Sequence, residues 1–227
     1  MDMLIKYMDI RAGVYRLLAH PWYLEITNEW LTRFQSYIEV FNVLAAENPY
    51  IMHLRTGCDL LQELPEEINE AEYASRFVQI FLNVDLHTKY KSVTPHESVY
   101  RSTSGMTRQD EWEQVYKLLI DEGLGRNKDH FKEPEDHISS ELYFMAALAE
   151  QTGELLTAGN MEQAEIKMQT QSHFLSQHLS LWVDALLEHL LMTTDDKLYR
   201  AIAYLTVGFV QAEVIGIDCM TEILAGN

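Results

Sequence analysis

Apolar residues recur at helical spacing along nearly the whole chain. Tyr7, Ile10, Val14, Leu17 and Leu18 form a first stripe, closed at Pro21 because the residue before a proline resists helical geometry. Trp30, Phe34, Ile38 and Phe41 predict a second helix ending near Asn48-Pro49, and Ile51, Leu54, Cys58 and Leu61 a third, stopped at Pro65. A fourth starts at Asn69, with Glu72 three residues on as in a capping box, and carries Tyr73, Phe77, Ile80 and Phe81.

From Asn83 to about Arg108 the period fails, and Pro95, Ser102, Ser104 and Gly105 mark a long irregular segment. Trp112, Val115, Tyr116 and Leu119 then predict a short helix ended by Gly123 and Gly125. The polar stretch that follows, Arg126 to Lys132, suggests a hinge over 123–133 between subdomains 1–122 and 134–227 of a single domain. Beyond it Ile138, Leu142, Met145 and Ala149 share one face, and Gly159-Asn160 turns the chain with Gln163 completing a cap. One long helix is then expected to carry Ala164, Met168, Gln171, Leu175, His178, Leu179, Trp182 and Leu186, and a last one Leu198, Ile202, Leu205 and Phe209. His178 reads as a core or boundary histidine rather than a ligand. No strand-like alternation or fixed-period repeat is present, so the expected fold is an all-α bundle of about eight or more helices.

Composition narrows the function classes. With 227 residues and 47% hydrophobic content the chain can bury a globular core. Its formal charge of −18 opposes nucleic-acid phosphates and suits a basic partner. Cys58 and Cys219 stand alone, without a Cys-x-x-Cys pair, which indicates neither a disulfide framework nor a thiolate zinc site and fits a reducing cytoplasm. The first twenty residues lack the continuous apolar run and small-residue cleavage site of an export signal. The apolar run Ala201 to Val210 is too short to cross a bilayer, so no membrane span is expected.

The chemistry-bearing stretch is Glu133 to Leu142, EPEDHISSEL, expected to be a loaded surface rather than a core segment. Pro134 suits a helix first turn, Asp136 is placed to cap free amides, and His137 shares a face with Glu141. A structural reading, in which Asp136 merely caps and His137 sits near a carboxylate, and a functional one both remain open on local grounds.

Glu-Pro-Glu-Asp-His at 133–137 resembles the E-P-x-D-H signature of the TorD/DmsD family of cytoplasmic chaperones for molybdoenzymes. The blocks around it fall in the family's order: Tyr15 to Pro21, Arg76 to Leu82, Pro95 to Tyr100, Glu122 to Leu124, the signature, and Phe174 to Trp182. Asp85 to Lys91 departs from it, being polar and basic where the family's loop is more aromatic. The resemblance implies a chaperone, not an enzyme. Its partner would be a molybdoenzyme precursor, held by its twin-arginine leader until cofactor insertion and folding are complete.

A basic then apolar leader calls for acids beside an apolar groove. Glu97, Glu133, Glu135 and Asp136 would supply the acids, with His137 as a hydrogen-bonding partner, while Phe77, Phe81, Leu82 and Tyr100 would line the groove. Pro134 and Ser98 complete the candidate set. The chaperone itself would need no cofactor, although the resemblance also suggests weak guanine-nucleotide binding in some family members. It would act as a monomer or, through the hinge, as a domain-exchanged dimer.

The alternative is a carboxylate/histidine metal-dependent hydrolase on an all-α scaffold. None of the 9 histidines has a glutamate three residues before it, and His-Glu-x-x-His is absent. His96-Glu97-Ser98 sets a base, an acid and a hydroxyl side by side, but adjacent residues seldom point at one another, and no Gly-x-Ser-x-Gly elbow surrounds the serine.

Overall fold

A computed structural model describes residues 1–82, 92–125 and 133–224. Within them the chain is all α-helical, as the apolar period predicts. The helices are α1 Asp2–Ala19, α2 Asn28–Gln35, α3 Ile38–Glu47, α4 Met52–Leu61, α5 Glu70–Phe81, α6 Glu97–Arg101, α7 Asp110–Asp121, α8 Ile138–Thr157, α9 Met161–Gln177, α10 Val183–Thr193 and α11 Lys197–Leu224. Short 3-10 turns occupy His20–Trp22 and Leu179–Leu181. Asp85 to Lys91 and the stretch Arg126 to Lys132 lie outside the described residues.

Local chemistry sets most of the ends. Asn69 and Asn160 accept hydrogen bonds from the amides of Glu72 and Gln163, both at 3.4 Å, so both predicted caps form. Thr27 caps α2 through the Trp30 amide at 3.2 Å. Gly159 takes a positive φ of 73° after α8, a conformation that costs glycine little, and lets the Asn160 amide turn back to the Leu155 carbonyl at 2.9 Å.

Three stretches depart from the pattern their sequence suggests. The second stripe breaks at Ser36-Tyr37, where the Ser36 hydroxyl donates to the Arg33 carbonyl at 2.6 Å and ends α2. The long C-terminal stripe breaks at His178, whose backbone (φ −124°, ψ −89°) leaves the helical region. Leu175, Leu179, Trp182 and Leu186 are all buried, but they are spread over α9, the following 3-10 turn and α10 rather than one helix. Residues 97–101 of the stretch expected to be irregular form α6.

The described chain divides into two compact units. The first comprises Met1–Ala19, His96–Trp182 and Glu213–Asn227; the second comprises His20–Pro95 and Val183–Ala212. The residues flanking the hinge expected over 123–133 belong to the first unit.

In the first unit α8 is the central helix, packed by α1 on one side and α9 on another. Its Ile138, Leu142, Phe144, Met145, Leu148 and Ala149 are buried. Arg11 of α1 is buried as well, and its Nε donates to both carboxylate oxygens of Glu213 on α11, at 2.8 and 3.0 Å. The Tyr15 hydroxyl donates to the same carboxylate at 2.8 Å. Burial disfavours the Arg11 charge, but Glu213 outweighs it and holds the guanidinium above its ordinary range.

In the second unit Trp30, Phe34 and Phe41 pack in succession, and Trp22, Phe77 and Tyr199 meet around Phe81. There α4 and α11 meet almost backbone to backbone: a Cβ on Gly208 would lie 2.6 Å from the Leu54 amide nitrogen.

The apolar run Ala201 to Val210 is part of a longer helix than its length suggests. Lys197–Glu222 of α11 is long and apolar enough, by length and composition, to cross a membrane, and 61% of its most apolar window is buried within the protein. Within it Glu213 is buried in its ion pair with Arg11.

Candidate functional site

The Glu133–His137 run is a tight turn in front of α8. The Pro134 carbonyl accepts from the His137 amide at 3.1 Å, and residues 134–139 are buried, so the run is a packed joint and not the open surface its polarity suggests. The cap of α8 is His137, not Asp136: its Nδ1 accepts from the Ser139 amide at 3.1 Å. Asp136 instead reaches across to α6. Its Oδ2 accepts from the Ser98 amide at 3.1 Å and from the Ser98 hydroxyl, while its carbonyl accepts from the Glu97 amide at 2.9 Å. Sequence spacing hides this, because the capped helix lies 38 residues upstream.

Two further contacts fasten the joint. The His96 and His137 backbones form an isolated antiparallel bridge, and their rings meet edge to face with centroids 4.9 Å apart. Trp112 of α7 donates its indole N–H to Glu135 at 2.6 Å.

Behind the joint three fully buried carboxylates gather: Glu97, Asp136 and Glu141. Glu97 is bonded by His178 Nδ1 at 2.8 Å and by Arg101, whose Nη1 also donates to the Gln177 carbonyl at 2.9 Å. Glu141 accepts from the Trp182 indole at 3.2 Å. Burial, then the charges of Glu97 and Asp136, push the Glu141 carboxyl well above the usual range. The pairing with Glu97 also accounts for the helix break at His178, which turns its ring to that carboxylate.

The ten predicted site residues therefore fall into two sets. Glu97, Ser98, Tyr100, Glu133, Pro134, Asp136 and His137 belong to the first unit, where α6 and the turn bring them together. Phe77, Phe81 and Leu82 belong to the second, at the end of α5; Phe77 is buried and Leu82 is 57% exposed. In the first set Glu97, Ser98, Pro134, Asp136 and His137 are buried. Glu133, with a side chain 45% exposed, and Tyr100, half-buried and stacked on Trp182 with centroids 5.6 Å apart, reach the surface. Arg101, His178 and Trp182 complete the network. Only their long-range pairing reveals them.

Among the described residues no three His, Cys, Asp or Glu side chains converge as a metal requires, so the hydrolase alternative has no donor set there. A cavity of about 520 Å³ in the second unit contains none of the ten residues, and its charges are paired, Arg76 with Asp196, Lys197 with Glu63 and Asp195 with Arg200.

Residues 52–188 match the profile of the family described as the nitrate reductase delta subunit. A chaperone protein TorD of Vibrio cholerae serotype O1 (strain M66-2) is 29% identical over 223 residues, 94% of this chain and 93% of the relative. The TorD chaperones of Photobacterium profundum and Vibrio parahaemolyticus serotype O3:K6 are each 27% identical, covering 94% and 89% of this chain and 96% and 92% of their own lengths. With the matched profile spanning more than half of the chain and the E-P-x-D-H turn built as described, this protein belongs to the nitrate reductase delta subunit family, among the TorD chaperones.

Proposed function

We propose that this chain is a cytoplasmic chaperone that binds the twin-arginine leader of a molybdoenzyme precursor and assists its cofactor insertion and folding before export. The observation that carries the reading is the Glu133–His137 turn, which matches the family signature and clamps α6 against the start of α8. Full-length similarity to proteins named as chaperones supports the same class.

In this reading the buried members of the signature shape the site and the exposed ones touch the leader. Glu133 offers a solvated carboxylate to a guanidinium, an interaction strengthened by paired hydrogen bonds. Tyr100, its ring supported by Trp182, offers a flat apolar face. In the second unit Leu82 and the half-buried Phe81 offer apolar surface of their own. No covalent step is involved: the work is binding energy, which withholds the leader from the export machinery until the client is folded.

Calorimetric titration with a synthetic twin-arginine leader tests the proposal. Binding is expected at low ionic strength, weakened about tenfold or more when both arginines are replaced by glutamine and weakened further by salt. Absence of measurable association with the arginine-bearing peptide at low ionic strength would overturn it.

A further inference from the structure

His137 makes two connections at once. Its Nδ1 accepts from the Ser139 amide, so the ring is neutral with its proton on Nε2. Its backbone and ring both meet His96, the residue at the N-terminal boundary of α6. Both rings are buried, and among the described residues neither nitrogen of His96 has a hydrogen-bond partner; its Nε2 stands 3.6 Å from Glu133. A proton on His137 Nδ1 would set a donor against the Ser139 N–H. It would also place a positive charge at the positive end of a 20-residue helix, facing a second histidine.

We propose that the His96–His137 contact is an acid-sensitive latch: with both rings neutral it holds the start of α6 to the start of α8, and protonation of His137 releases them.

Among the described residues the charged groups around the contact are engaged as follows. Glu133 faces His96, Asp136 is engaged by Ser98, and Glu135 by Trp112 of α7. Glu97 is engaged by Arg101 and by His178 at the end of α9, and Glu141 lies one turn into α8. On the α1 side Ser139 meets the uncharged Ala19 carbonyl. Burial, then the neighbouring His96, holds His137 well below the ordinary histidine value.

A ring released into water recovers the ordinary histidine range, so above that range the latch is indifferent to protons. Below it, down to the depressed value of the closed form, closure weakens about tenfold per pH unit. Glu141 acts with the opposite sign. Its raised value in the closed form makes acid favour closure, so it cannot be the source of an acid-driven release.

Hydrogen exchange of the Glu97 and Ser98 amides, corrected for the intrinsic rate, reads latch opening between about pH 7.5 and pH 5. Wild-type protection is expected to fall about tenfold or more across that range, and His137→Asn, which keeps a capping oxygen but does not titrate, to reduce the loss to less than about threefold. Equal loss in the two proteins overturns the proposal. Should His137→Asn fail to fold, the imidazole signals of the wild type and His96→Gln decide. His137 is expected to titrate below the ordinary value in the wild type and closer to it in the variant, and a normal titration in the wild type, or no change in the variant, overturns the latch.

Discussion

Arg11→Met is expected to lower the unfolding free energy by about 3–5 kcal/mol, because it leaves the buried Glu213 carboxylate with the Tyr15 hydroxyl but without its cation. Glu213→Leu should cost a similar amount by stranding Arg11 inside unit 1. The double variant Arg11→Met/Glu213→Leu removes both charges and their desolvation together, so it should lie within about 1–2 kcal/mol of the wild type. Urea unfolding of the four proteins provides the cycle. Single losses below about 1 kcal/mol, or a double variant as damaged as the sum of the singles, would show that the pair does not fasten α1 to α11 in the way its distances suggest.

Asp136→Ala carries the second large effect. It removes the acceptor of the Ser98 amide and hydroxyl at the start of α6, and hydrogen bonds to a charged group are worth about 1.5–3 kcal/mol each. Part of that loss is offset, because Glu141 no longer faces a second carboxylate. A net loss of about 2–3 kcal/mol is expected, with Asp136→Asn losing less because an amide oxygen still accepts. Equal stability of Asp136→Ala and the wild type in urea would mean that the signature aspartate is not the cap of α6.

The apolar period made the helical class and most helix positions readable, since burying one face of a helix requires residues three and four apart. Asn69 and Asn160 were readable as caps because a cap and its amide partner lie three residues apart. The breaks at Ser36 and His178 were not. At both, apolar residues continue in phase across the interruption, and the cause is a side-chain bond: local at Ser36, and to a carboxylate 81 residues away at His178. Asp136 fails to read for the same reason, because its local position suits a cap of α8 while its actual partner is Ser98.

The candidate site was legible as a set of residues rather than as a geometry. Glu97, Ser98, Asp136 and His137 do come together, but in a buried joint, since a turn whose acids are met by an amide, hydroxyl, indole or cation can be taken out of water. Exposure could not be deduced from polarity, and that distinction separates the residues proposed to shape the site from those proposed to touch a leader.

Glu133 is therefore the position at which recognition and folding can be told apart, because its side chain is 45% exposed while residues 134–137 are buried. The decisive measurement is the affinity of a fluorescent twin-arginine leader for Glu133→Lys by anisotropy at low ionic strength. Reversal of an exposed charge should weaken binding about tenfold or more while urea stability stays within about 0.5 kcal/mol of the wild type. Unchanged affinity in a stably folded Glu133→Lys protein would contradict the account.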